Sequence, residues 1–100
     1  MSYLNERSKR WFITLNNYSN DDVEIIRSTM FKSLCKYYIF GFEHAPKTGT
    51  KHIHLYLRLN KNMYKNSFKK IFPSAHIEVA KGDEVDCVEY CSKEGEYEEF

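Results

Sequence analysis

Proline occurs twice and glycine four times in 100 residues, and no low-complexity stretch or internal repeat is visible. That scarcity excludes a collagenous or linker-like chain and suits a packed domain. No apolar run approaches the roughly 18–20 residues that a bilayer span needs, and the opening MSYLNERSKR lacks the apolar stretch of a signal peptide. A soluble intracellular protein without a membrane partner is therefore expected. The three cysteines, Cys35, Cys87 and Cys91, are odd in number and form no CxxC pair. A disulfide framework and a zinc ribbon are both unsupported, and small half-buried thiols are expected instead.

What is present is globular: 42% hydrophobic, 16% aromatic and 29% charged residues, enough apolar surface for one core at this length. One domain over residues 1–100 follows. The net charge of +1 is unevenly spread. Glu94, Glu96, Glu98 and Glu99 make residues 94–100 read as an acidic tail, while residues 1–93 hold all fifteen Lys and Arg against ten acids and are net +5. Mild basicity of this kind permits nucleic-acid binding but also fits a solvated mixed-charge surface.

Periodicity predicts the elements. In RWFITLNN (10–17), Trp11, Ile13 and Leu15 alternate with Arg10, Phe12, Thr14 and Asn16, as in a strand with one face on a core. After Ser19 as N-cap, Val23, Ile26, Met30 and Leu34 form a helical stripe, giving one helix from about Asp21 to Lys36. YYIFGFEH (37–44) and HIHLYLRL (52–59) flank a turn marked by Pro46 and Gly49 and should form a hairpin. Asn60 to Phe72 reads as a helix carrying Tyr64, Phe68, Ile71 and Phe72 and stopped by Pro73. AHIEVA (75–80) returns to strand, and a last helix opens at Gly82 or Asp83 and runs to about Glu94, with Val85, Val88 and Cys91 toward the core. The order β-α-β-β-α-β-α predicts an α+β fold: a split βαβ, ferredoxin-like or RRM-like antiparallel sheet with helices on one face. The final helix must pack at an edge or on the open face.

Candidate chemistry lies on that open face. In β-strand parity, Ile53, Leu55, Leu57 and Leu59 face the core while His52, His54, Tyr56 and Arg58 face away. Two imidazoles two residues apart can converge on one ion, although two surface histidines show the same spacing. The neighbouring strand adds Tyr37, Ile39, Gly41 and Glu43 by parity, with Gly41 leaving room and Glu43 beside the pair; a bulge would put His44 there instead. A carboxylate with two imidazoles suits Mn²⁺ or Mg²⁺ in a site open to a phosphate, and the ligand types alone also suit Zn²⁺. On the last helix Tyr90 and Lys93 lie three apart, where the ammonium can favour the ionised phenol.

RWFITLNN, KHIHLYL and EYCSKEG, in this order, resemble the three motifs of the replication-initiator endonuclease domains of circular single-stranded DNA viruses, the His-hydrophobe-His nucleases of circovirus and nanovirus type. The likeness spans about residues 10–95, and His-Ile-His is closer to the plant-virus form. The resemblance implies metal-dependent nicking and joining of single-stranded DNA at a stem-loop origin, initiating rolling-circle replication. It makes Tyr90 the nucleophile, Lys93 its companion, and Glu43, His52 and His54 the ligands of Mn²⁺ or Mg²⁺. It matches Thr14, Leu15, Asn16 and Asn17 to the motif associated with origin recognition, with Thr14, Asn16 and Asn17 as expected DNA contacts; Arg10, Tyr56, Arg58 and Lys81 are further ones. It also implies action in the host nucleus and a helicase domain C-terminal to these residues in a full-length protein, since no nucleotide-binding glycine loop occurs here. The competing expectation is a non-catalytic single-stranded DNA- or RNA-binding module of RRM-like fold, with Tyr37 and Tyr56 as stacking platforms.

Overall fold

A computed structural model describes residues 6–100. Its elements are β1 (Arg7–Asn16), α1 (Asn20–Arg27), α2 (Thr29–Leu34), β2 (Cys35–His44), β3 (Lys51–Tyr64), α3 (Lys65–Ile71), β4 (His76–Val79), α4 (Glu84–Ser92) and β5 (Tyr97–Glu99). All pairings are antiparallel, in the order β4-β1-β3-β2-β5. The first four strands have the expected split βαβ arrangement.

Alternation divides the sheet into two faces. Trp11, Ile13, Leu15, Tyr38, Phe40, Ile53, Leu55 and Leu57 point to one side and join Val23, Ile26, Phe31 and Phe68 of α1–α3 in the main core. Each such side chain contributes about 1.5–3 kcal/mol by leaving water. On the other side Ile39 and Tyr56 pack with Cys87 and Cys91, so α4 lies across the face opposite the other helices. All three cysteines are free and buried.

Four local expectations give way to tertiary structure. The single helix over 21–36 is two: Ser28 takes extended geometry (φ −66°, ψ 151°), donates to the Ile25 carbonyl at 2.6 Å and caps the Phe31 amide at 3.1 Å. A serine that bonds its own backbone offers an alternative to continuing the helix. The break turns Phe31 inward and leaves Met30 62% exposed. Residues 60–64, expected helical, extend β3, because Met63 and Tyr64 pair with Ser8 and Arg7. On α4 Cys91 and Val88 face the sheet as expected, but the buried partner of Cys91 is Cys87, at i and i+4, and Val85 is 63% exposed. The acidic tail is β5, pairing with β2 over Ile39 to Gly41; Glu98 meets Arg27, and Glu99 accepts from the Tyr37 hydroxyl at 2.8 Å.

Candidate active site

β2 and β3 pair without a shift from Tyr37 to His44, which sets Glu43 opposite His52 and Gly41 opposite His54. The bulge that would have substituted His44 occurs instead at the strand's start, between Cys35 and Tyr37. Glu43 Oε1 lies 3.3 Å from His52 Nε2, and Glu43 Oε2 lies 3.3 Å from His54 Nε2. The two imidazoles stand edge-on with centroids 4.8 Å apart. One donor atom from each of Glu43, His52 and His54 falls within 4.8 Å of the others.

The donor set fits a divalent cation. Among the described residues, Glu43 Oε2 and His54 Nδ1 are the buried side-chain atoms without a hydrogen-bond partner, and both belong to this cluster. Oε2 has His54 and Lys93 nitrogens at 3.3 and 3.4 Å, but neither in hydrogen-bonding geometry. Lys93 gives this oxygen a counter-charge without a well-formed hydrogen bond, and a divalent ion among the three side chains would supply the direct partner that a buried carboxylate oxygen needs. Burial also lowers the pKa of His54, outweighing the pull of Glu43, so its ring favours the neutral form that ligates metal.

α4 brings the phenol to this cluster. Its N-cap is Asp83, which accepts from the Asp86 amide at 3.0 Å, and beyond Lys93 the chain leaves through Gly95 at φ 81°. Tyr90 is 45% exposed, with its ring centroid 4.8 Å from His54 and 5.7 Å from Phe12. Lys93 Nζ sits 3.9 Å from the Tyr90 ring centroid and 3.4 Å from Glu43 Oε2. Burial works against the charge of Lys93, yet Glu43 and Tyr90 more than offset it and raise its pKa. Tyr90, Lys93, Glu43, His52 and His54 are thus neighbours, from three elements.

Beside Tyr90 a cleft of about 300 Å³ is lined by Phe12, Thr14, His54, Glu78, Lys81, Asp86, Cys87 and Tyr90. Thr14 is opposite His54 and Asn16 opposite His52, so both share the cluster's face. Asn17 takes the left-handed φ of 53° where β1 ends and, together with Asn16, lines a separate small cleft beside Pro73 and Ser74. The expected stacking platform at Tyr56 needs correction, because its ring is fully buried under α4. Arg10 and Arg58, on the same face, hydrogen-bond to Gly82 and to Glu84, and Arg58 keeps 40% of its side chain exposed. A face that is open by strand parity is covered here by a helix from elsewhere in the chain. Parity did place Phe12 on this face, but Glu78 and Asp86 carried no signal in the sequence, because only the seating of α4 on β2 and β3, alongside β1 and β4, makes them cleft walls.

Comparison with known proteins gives a consistent picture. A family model described as "Putative viral replication protein" matches residues 8–94. The chain is 40% identical over 88 residues to Para-Rep C2 of Milk vetch dwarf C2 alphasatellite, covering 87% of this chain and 31% of that protein. It is 38% identical over 88 residues to the replication-associated protein of beak and feather disease virus, with 88% and 30% covered. With that of porcine circovirus 1 the identity is 39% over 88 residues, with 87% and 28% covered. The chain spans about three tenths of the length of these relatives.

Proposed function

The chain belongs to the family of viral replication proteins, and from that premise we propose that it cuts and rejoins single-stranded DNA at a replication origin, with Tyr90 as the covalent nucleophile. The observation that carries this reading is the half-exposed Tyr90 ring 4.8 Å from His54, beside a buried Glu43–His52–His54 set. A stacking residue needs neither neighbour.

The Tyr90 hydroxyl loses its proton to solvent as its oxygen attacks the scissile phosphorus, and the bond to the 3′ oxygen breaks. The 5′ phosphate stays on Tyr90, and the departing 3′ oxygen takes up a proton. Attack by a 3′ hydroxyl on the phosphotyrosine reverses the step and frees the phenol, so joining needs no nucleotide triphosphate. Lys93, over the ring, places a positive charge beside the phenol, where negative charge develops as the phosphate is attacked. Glu43, His52 and His54 would hold Mn²⁺ or Mg²⁺, which supplies Lewis-acid stabilisation to phosphate oxygens. Thr14, Asn16 and Lys81 flank the cleft and its face, where the strand would lie.

Initiation of rolling-circle replication, action in the host nucleus and a following helicase domain belong to the same reading. They rest on the family resemblance alone.

The test is incubation with Mn²⁺ and labelled single strands spanning the origins of the alphasatellite and beak and feather disease virus relatives. A protein–DNA adduct that survives denaturation is expected. The metal assignment has its own measurement, calorimetric titration with Mn²⁺. Replacing both His52 and His54 by Ala should cost at least the 10–100-fold or so that loss of an outer-shell partner costs, with the far-UV spectrum unchanged. Unaltered affinity would remove these ligands from the site. For binding, Lys81→Ala should weaken association and lower the slope of log affinity against log salt by about 0.7, as for one single-strand phosphate contact. A slope equal to that of the unmodified chain would place Lys81 off the DNA.

A further inference from the structure

Arg10, Tyr56 and Arg58 are tied to the first turn of α4. Arg10 Nε donates to the Tyr56 hydroxyl at 3.0 Å, and that hydroxyl donates to Glu84 Oε1 at 2.7 Å. Arg58 Nε donates to the same carboxylate oxygen at 2.9 Å. A second nitrogen of Arg10 donates to the Gly82 carbonyl at 2.8 Å. β1 and β3 thus hold residues 82–84 through three hydrogen bonds, and a fourth joins Arg10 to Tyr56. None of these side chains belongs to the metal cluster.

The energetic weight of this network lies in Tyr56. Glu84 and Arg58 are 38% and 40% exposed, and an ion pair that exposed contributes little by itself. The Tyr56 ring is fully buried, however, and its hydroxyl has its donor and an acceptor site both engaged. Loss of Glu84 leaves that donor without its partner and Arg10 and Arg58 without their counter-charge. Glu84 and Tyr90 are six residues apart on one short helix, roughly 9 Å along its axis. A tilt at the first turn therefore carries Tyr90 with it.

We infer that Glu84 is a positioning residue: with Tyr56, Arg10 and Arg58 it clamps α4 onto the sheet and thereby sets where Tyr90 stands relative to Glu43, His52 and His54. The catalytic consequence rests on Tyr90 being the nucleophile; the clamping of α4 does not. Cysteine positions supply an independent readout, because Cys87 and Cys91 face inward from α4 whereas Cys35 is buried in the core on the other face.

The experiment compares the unmodified chain with Glu84→Ala, Glu84→Gln and Tyr56→Phe. It measures the adduct formation rate at saturating origin strand with Mn²⁺, the Kd for that strand, and alkylation rates of each cysteine by peptide mass spectrometry. Glu84→Ala and Tyr56→Phe should slow adduct formation on the order of tenfold, for a displacement well under 1 Å, with Kd changed less than about twofold. They should also speed alkylation of Cys87 and Cys91 relative to Cys35. Glu84→Gln keeps an oxygen that accepts from Tyr56 and Arg58 and should recover most of both effects. A rise in Kd at unchanged rate would overturn the inference and return Arg10 and Arg58 to the DNA. Equal acceleration at Cys35 would also overturn it, as general loosening. If the unmodified chain forms no adduct, the nucleophile reading fails, and the alkylation ratio alone decides whether the clamp exists.

Discussion

Tyr90→Phe is expected to abolish the covalent adduct, nicking and joining together while leaving DNA affinity within about twofold, since an aromatic ring's stacking face, worth 1–3 kcal/mol or so per base, is kept. The substitution removes one oxygen and no packing surface. The ring stays 4.8 Å from His54 and 5.7 Å from Phe12, and α4 keeps its buried Cys87 and Cys91. A nucleophile cannot be partly supplied by its neighbours, whereas charge stabilisation can. Lys93→Ala should accordingly slow adduct formation without eliminating it. Denaturing electrophoresis with labelled strand and Mn²⁺ reads both variants. An adduct from Tyr90→Phe at the unmodified rate would move the nucleophile elsewhere, with Tyr97 next to test.

The second large effect is expected at Gly41→Ala, outside the reacting groups. A Cβ at Gly41 would stand 1.7 Å from the Cys91 carbonyl oxygen and 2.9 Å from its carbon. Both are backbone atoms of α4, so no side-chain rotation relieves the overlap. The helix must lift from β2, one residue from Tyr90. A lift approaching 1 Å should cost adduct formation about 100-fold. Forced overpacking typically costs about 1–3 kcal/mol, and for a domain of this size 1 kcal/mol lowers Tm by roughly 4–8 °C. Thermal unfolding followed by adduct kinetics on the folded fraction separates the two effects. A Gly41→Ala chain with unchanged Tm and rate would mean that α4 does not rest on this glycine. The room that Gly41 leaves in β2 is thus occupied by the helix that carries Tyr90 and Lys93.

Much of the candidate site was legible because it depends on local periodicity. A strand period of two separates His52 and His54 from Ile53 and Leu55 wherever the strand is placed, and the short turn around Pro46 and Gly49 brings Glu43 to the hairpin end opposite His52. Helical spacing does the same for Tyr90 and Lys93. Parity also put Tyr56, Arg58 and Arg10 on that face, correctly, and failed only over what covers it.

Sequence alone therefore determined which face each strand residue takes, the order of the first four strands with helical segments after β1, β3 and β4, and the residue types that gather at the candidate site. These follow from backbone geometry within single segments. Tertiary structure decided the break at Ser28, the extension of β3 to Tyr64, the pairing of the acidic segment as β5, and the seating of α4 between Gly41 and the Glu84 network. Each of these depends on partners distant in the chain: a strand edge, a facing backbone, or a counter-charge on another element. Local pattern states which side a residue faces; only packing states what it meets there.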